Sequence, residues 1–158
     1  MHATLEMTSQ EVEAVTDPAI ADALERIVFA GVAVTTLAIS DARPGLDLTL
    51  PQWRVLVVLG NTVNGATVSD VASWIRVTLP ATSRQLRRLE QRGLVTLATD
   101  ERDRRAVRVR LTEEGRSART AIVAYRHRRI AESVADLRLG PTAAADLNRI
   151  ADALEGIR

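Results

Sequence analysis

The stretch that decides the fold is "TVSDVASWIRVTLPATSRQLRRLEQRG", residues 67–93. Thr67 and Asp70 stand at capping-box spacing, where each side chain satisfies a backbone N–H that the first helical turn leaves free. Val68, Val71, Ala72 and Ile75 follow at helical spacing, which predicts a short helix ending near "RVT". Leu79 and Pro80 open a second helix, where a proline is tolerated because its missing N–H would have had no partner. Thr82, Leu86 and Leu89 fall at i, i+4 and i+7 and so share an inward face, and Gly93 stands just past the helix end. The opposite face carries Ala81, Ser83, Arg84, Arg87 and Arg88. Two short helices joined by a tight turn, the second small at its start and Arg-rich beyond, predict a helix-turn-helix with its recognition helix. Small residues let the helix end sink into a DNA major groove, and the arginines then reach guanine edges or phosphates.

The residues that follow supply the second half of the motif. "LVTLAT" (94–99) and "AVRVRLT" (106–112) read as two strands, and the six residues between them are polar and charged, as a hairpin tip requires. Alternation places Val107, Val109 and Leu111 on the packed side and Arg108 and Arg110 on the solvated side. A helix-turn-helix followed at once by a charged hairpin is a winged helix. Arg102, Asp103, Arg104 and Arg105 occupy the wing, where a slim arginine fits a narrow, electronegative minor groove and its flanking phosphates.

Working outward, Asp17 and Pro18 open a helix through "AIADALERIVFAGVAVTTLAIS", and residues 27–34 of it are apolar nearly all round. Such a helix needs cover on several sides, which a partner chain provides. "DARPGLDL" breaks the chain at Pro44 and Gly45, and Thr49 with Gln52 caps a helix bearing Trp53, Leu56 and Val57 up to Gly60. "NTVNGA" (61–66) reads as a loop. Thr112 caps a long helix, and Gly140 and Pro141 open a last one in which Ala143, Leu147, Ile150, Leu154 and Ile157 form a stripe suited to helix pairing. The expected architecture is mainly α with a small β-hairpin wing: a flexible N-terminal segment (1–16), an N-terminal dimerisation helix (17–45), a winged helix-turn-helix DNA-binding lobe (46–112) and C-terminal dimerisation helices (113–158).

Composition narrows the chemistry. A chain of 158 residues, 46% hydrophobic, is long enough for one domain or two small lobes with a buried core. It has no Cys, hence no disulfide, thiol nucleophile or Cys-based metal site, and two His, at 2 and 127, cannot build a metal cluster. No cofactor is expected. No uninterrupted run of eighteen uncharged apolar residues appears and the N-terminus lacks a basic leader, so a cytoplasmic protein with neither membrane span nor signal peptide is expected. The net charge is only +1, yet most of the arginines fall between residues 76 and 129, a local excess that suits an anionic partner. No Gly-rich phosphate loop, nucleophilic Ser motif or His–carboxylate pairing points to an enzyme. Trp53 and Trp74 are expected in the core and His127 on the surface. Arg126, Arg128 and Arg129 are expected to ion-pair or contact nothing, and Arg108 and Arg110 to be solvated.

At "LTLPQWRVLVVL", "TVSDVASWIRVTLPATSRQLRRLEQRGLV" and "DERDRRAVRVRLTEEG" the sequence resembles the MarR-type transcription regulators, over about residues 18–157. The resemblance implies a homodimer with interlocked first and last helices, whose two lobes bind successive major grooves of a pseudo-palindromic double-stranded DNA operator. Matched position by position, Pro80, Ala81, Ser83, Arg84 and Arg88 are recognition positions. Arg105 matches the minor-groove arginine, Asp103 the carboxylate that braces it, and Arg104 a tip residue. The family also implies a small aromatic or phenolic ligand between the dimer helices and the lobe, for which Phe29, Trp53, Arg54 and Tyr125 are the candidates, and repression as the default sign. The one-cysteine peroxide sensors of the family are excluded by the absence of Cys. The alternative is a winged-helix protein-interaction module without specific DNA binding, which has no reason to keep Arg at 84, 88 and 105 together.

Overall fold

The computed structural model describes residues 17–100 and 103–155. The expected flexible segment 1–16, Arg102 of the wing and Ile157 of the terminal stripe lie outside these residues. The elements run α1 (Pro18–Asp41), α2 (Leu50–Gly60), β1 (Ala66–Thr67), α3 (Val68–Ile75), α4 (Leu79–Gln91), β2 (Val95–Thr99), β3 (Val107–Leu111), α5 (Glu113–Val134) and α6 (Ala143–Glu155).

The helix starts follow the capping chemistry of the sequence. The Asp17 carboxylate accepts the Ala19 N–H at 3.0 Å, and Thr49 with Gln52 and Thr67 with Asp70 form complete capping boxes. The Thr112 hydroxyl accepts the Gly115 N–H at 2.9 Å. The Asp70 carboxyl is held below its ordinary value of 3.8, first by the Thr67 hydroxyl, then by the Thr67 N–H, with Arg108 contributing at a distance. A depressed carboxylate stabilises the fold fully above its unfolded value, and that contribution disappears as pH falls through the lower folded value. Between α3 and α4, Arg76 takes a left-handed conformation at φ 52°, and Gly93, at φ 69°, turns the chain out of α4 into β2.

The sheet is antiparallel in the order β1-β3-β2, with Ala66 and Leu97 on either side of Val109. β1 was expected to be loop. Two residues cannot show alternation, and this strand exists because β3 offers a free edge beside it. Leu56, Ile75, Leu86, Leu89, Leu94, Val95 and Val109 form the centre of the core, and α5 reaches it through Ala118 and Ile122. Trp53 is buried as expected, but Trp74 is 48% exposed. Val71, Ala72 and Ile75 fill the inward arc of α3, and residue 74 sits about 100° of rotation from its centre. Val107 is likewise 41% exposed, because it lies on the wing beyond the core.

α1 packs on α2 and α5 through Thr35, Ala38 and Ile39 near its C-terminal end. Its other apolar residues, Ile27, Val28, Phe29, Val32 and Leu37, remain exposed, as do Leu147 and Leu154 of α6. By length and composition α1 is long and apolar enough to cross a membrane, which the search for an uninterrupted apolar run missed.

Candidate nucleic-acid interface

α4 has two unlike faces, and the buried one fixes the orientation of the other. Thr82, Leu86 and Leu89 are wholly buried against the core, so the helix cannot roll without opening it. This leaves Pro80, Arg84, Arg87 and Arg88 exposed and Ala81 and Ser83 half-buried. Among the described residues none of these arginines makes an ion pair. Two acids of the same segment are engaged elsewhere: Asp70 caps α3, and Glu90 Oε1 accepts the Leu97 N–H at 3.1 Å. Three uncompensated guanidiniums therefore lie on one helix whose opposite side is locked into the core, an arrangement that attracts a polyanion.

The wing is organised by a residue that sequence reasoning missed. Asp100 is 4% exposed, and its Oδ2 accepts hydrogen bonds from Nε and Nη2 of Arg108. Arg108 also donates to the Gly65 carbonyl at 3.4 Å, tying the wing to the α2–β1 connection. It is thus half-buried and paired, not solvated. A signal existed: Ala98 is the cross-strand partner of Arg108, which puts Asp100 at the diagonal position within reach of a long side chain. Asp103, in turn, accepts the backbone N–H of Arg105 at 2.9 Å. The expected brace therefore takes another form in this structure: Asp103 holds the Arg105 main chain, and the Arg104 and Arg105 side chains are exposed.

Removing the carboxylate charge at Asp100 leaves Arg108 partly buried without its anion. Asp100→Asn is expected to lower stability by about 1–3 kcal/mol, less than for a fully dry pair because water reaches Arg108. Amide hydrogen exchange at Asp103 and Arg105 should accelerate with it; unchanged exchange there would contradict the anchoring role.

The four candidate ligand residues are not brought together. Trp53 and Arg54 line a cleft of about 370 Å³ between α1, α2 and α3, along with Val28, Val32, Trp74 and Arg126. Phe29 is 77% exposed and does not line this cleft. Tyr125 is also outside it: its hydroxyl donates to Asp41 at 3.2 Å and its ring faces Arg128 at 5.3 Å. Arg54 is partly committed, donating to the Ile75 carbonyl at 2.9 Å. Arg126 was expected only to ion-pair or contact nothing, yet it lines the cleft, and its Nε is buried without a hydrogen-bond partner among the described residues. Arg129 pairs with Glu132 at 3.1 Å and His127 is exposed, both as expected.

Similarity to known proteins agrees with this geometry. The model of the MarR family matches residues 46–106, from the loop before α2 to the wing tip. An uncharacterized HTH-type transcriptional regulator, YfiV of Bacillus subtilis, is 41% identical over 71 residues, 45% of this chain. The chain spans less than half the length of the curated relatives it matches, 44% for YfiV. Among solved structures, RV1404 from Mycobacterium tuberculosis superposes with a TM-score of 0.72 at 26% identity, covering 99% of this chain and 98% of that one. Streptococcus pneumoniae FabT, solved in complex with DNA, has the same fold, with a TM-score of 0.72 at 22% identity over 89% of this chain and 99% of that one. The winged helix-turn-helix lobe thus lies at the residues that match the MarR family model, and the fold is shared with RV1404 along nearly the whole chain.

Proposed function

We propose that the protein is a dimeric, sequence-specific DNA-binding transcription regulator acting in the cytoplasm, and not an enzyme. The single observation that carries this reading is the set of unpaired arginines on the outer face of α4, presented by a helix whose inner face is locked into the core. In this reading residues 46–112 are the DNA-binding lobe, and residues 17–45 and 113–158 pair two chains. α4 enters a major groove with Pro80, Ala81, Ser83, Arg84, Arg87 and Arg88 against it. The wing lies on the flanking minor groove with Arg102, Asp103, Arg104 and Arg105. That FabT was solved with DNA supports this docking, as does its shared fold. Occupation of an operator excludes polymerase without any further contact surface, so repression is the sign the reading adopts.

Release by a small ligand belongs to the same proposal. The cleft at Trp53, Arg54, Trp74 and Arg126 lies between α1 and the lobe, and the unpartnered Arg126 Nε suits the carboxylate of an aromatic acid. A ligand there shifts DNA binding only if it prefers one spacing of the two lobes. The interface is tested by Arg105→Ala, expected to weaken operator binding by about 1–3 kcal/mol, beside Arg128→Ala, which removes a cation stacked on Tyr125 away from the wing. Equal losses in the two variants would sink the wing assignment.

A further inference from the structure

We propose that the protein carries a second anion site, where the α2–β1 connection of the winged lobe meets α5, that takes a phosphate-type oxyanion. A cleft of about 240 Å³ opens there, and Arg110 of β3 and Arg116 and Arg119 of α5 line it. None of its lining residues belongs to α4, to the wing tip or to the Trp53 cleft, so it is separate from both surfaces described above.

The charge in this cleft is poorly compensated. Arg110 Nε donates to the Asn64 carbonyl and Arg119 Nη2 to the Asn61 side-chain oxygen, each at 3.1 Å, and both acceptors are neutral. The Nε of Arg119 is buried and has no hydrogen-bond partner among the described residues. Of the three, Arg116 alone has an acid among the described residues, Glu113, at 2.8 Å. Arg110 and Arg119 thus line one cleft with no carboxylate paired to either among the described residues, and an oxyanion entering it is attracted by both charges and accepts the N–H groups they leave open to it.

The backbone is shaped to let these arginines lie against it. A methyl group at Gly60 would collide with the Arg119 side chain. One at Gly65, which sits at φ 74°, would meet the Val109 carbonyl and the Arg110 side chain. The volume is below the roughly 300–1,000 Å³ of organic-ligand sites, which suits a single phosphoryl group better than a large molecule. That group comes either from the DNA backbone or from a small phosphorylated compound, and the chemistry of recognition is the same.

The test is a titration of inorganic phosphate into the full-length, isotopically labelled protein at constant ionic strength, following the arginine Nε–H resonances by NMR. Saturable shifts confined to Arg110, Arg116 and Arg119 are expected. Arg119→Gln and, independently, Gly60→Ala, which displaces Arg119 but keeps a helix-compatible residue, should each weaken phosphate binding at least tenfold. Shifts that never saturate, or that appear equally at Arg84, Arg87 and Arg88, overturn the site, as does unaltered binding in both variants. The titration contains no DNA, so its failure and a failure of the regulatory reading are distinguishable. Adding operator duplex without phosphate then separates the sources: Arg119 shifts if a DNA phosphate is the occupant, and stays in place, still open to phosphate, if a free compound is.

Discussion

Replacing Arg84 and Arg88 together with alanine is expected to weaken operator binding by about 2–6 kcal/mol, since each arginine that reads a base edge is worth about 1–3 kcal/mol. The fold should be untouched. Both side chains are exposed and unpaired among the described residues, whereas α4 is held by Thr82, Leu86 and Leu89 on its other side. Denaturation midpoints should therefore stay within about 0.5 kcal/mol of the parent chain. Fluorescence anisotropy on the operator, with an unrelated duplex beside it, reads both affinity and discrimination. The variant should retain part of its nonspecific, salt-sensitive binding while losing preference for the operator. Undiminished preference would remove α4 from the recognition surface.

The second large effect concerns assembly. Ile27→Glu with Phe29→Glu places a charge on each of two exposed apolar sides of α1, where the native residues are 56% and 77% exposed in the single chain. Fully burying such a side chain contributes about 1.5–3 kcal/mol and a symmetric dimer loses two from each chain, so one chain's share alone weakens it by about 3–6 kcal/mol, or roughly 10²- to 10⁴-fold. Analytical ultracentrifugation at micromolar concentration should find dimers for the parent and monomers for the variant. Operator affinity should fall in parallel, because two linked lobes bind with the effective concentration that one lobe lacks. A variant that sediments as the parent does would exclude this stretch of α1 from the interface. The same exposed stripe lets α1 pass as a membrane span by length and composition. Its attachment to α2 and α5 through Thr35, Ala38 and Ile39 and its place in the MarR-like fold favour a second copy of the chain as its cover.

What could be read in the sequence was local. The capping boxes at Thr49 and Thr67, the inward triplet of α4 and the turn at Gly93 are set within four to seven residues, and the structure places each as its spacing required. What escaped depends on partners distant in the chain. β1 is only two residues long and is defined by its pairing to β3, some forty residues on. Alternation sent Arg108 to solvent, but the strand's outer face is not open water there: Asp100 and the Gly65 carbonyl meet it. Trp74 was assigned to the core by helical spacing, although Val71, Ala72 and Ile75 already fill the inward arc of an eight-residue helix. The ligand quartet failed for the same reason. Trp53 and Arg54 do line a cleft, yet its other walls come from α1, α3 and Arg126, and no local pattern relates those segments. The wing's Asp103 was identified as a brace, but whether it would hold a side chain or a main chain depended on the turn itself.

The central claim is sequence-specific binding of DNA by two chains, and its most direct measurement is selection of duplexes from a random-sequence pool by the purified protein. The recovered DNA should be enriched in a pseudo-palindrome whose half-sites lie about one helical turn apart. Anisotropy on that duplex should show two chains per site and an affinity falling steeply with salt, well above that for a scrambled duplex. Recovery of a pool with no enriched sequence, bound no better than the scrambled control, would contradict the account.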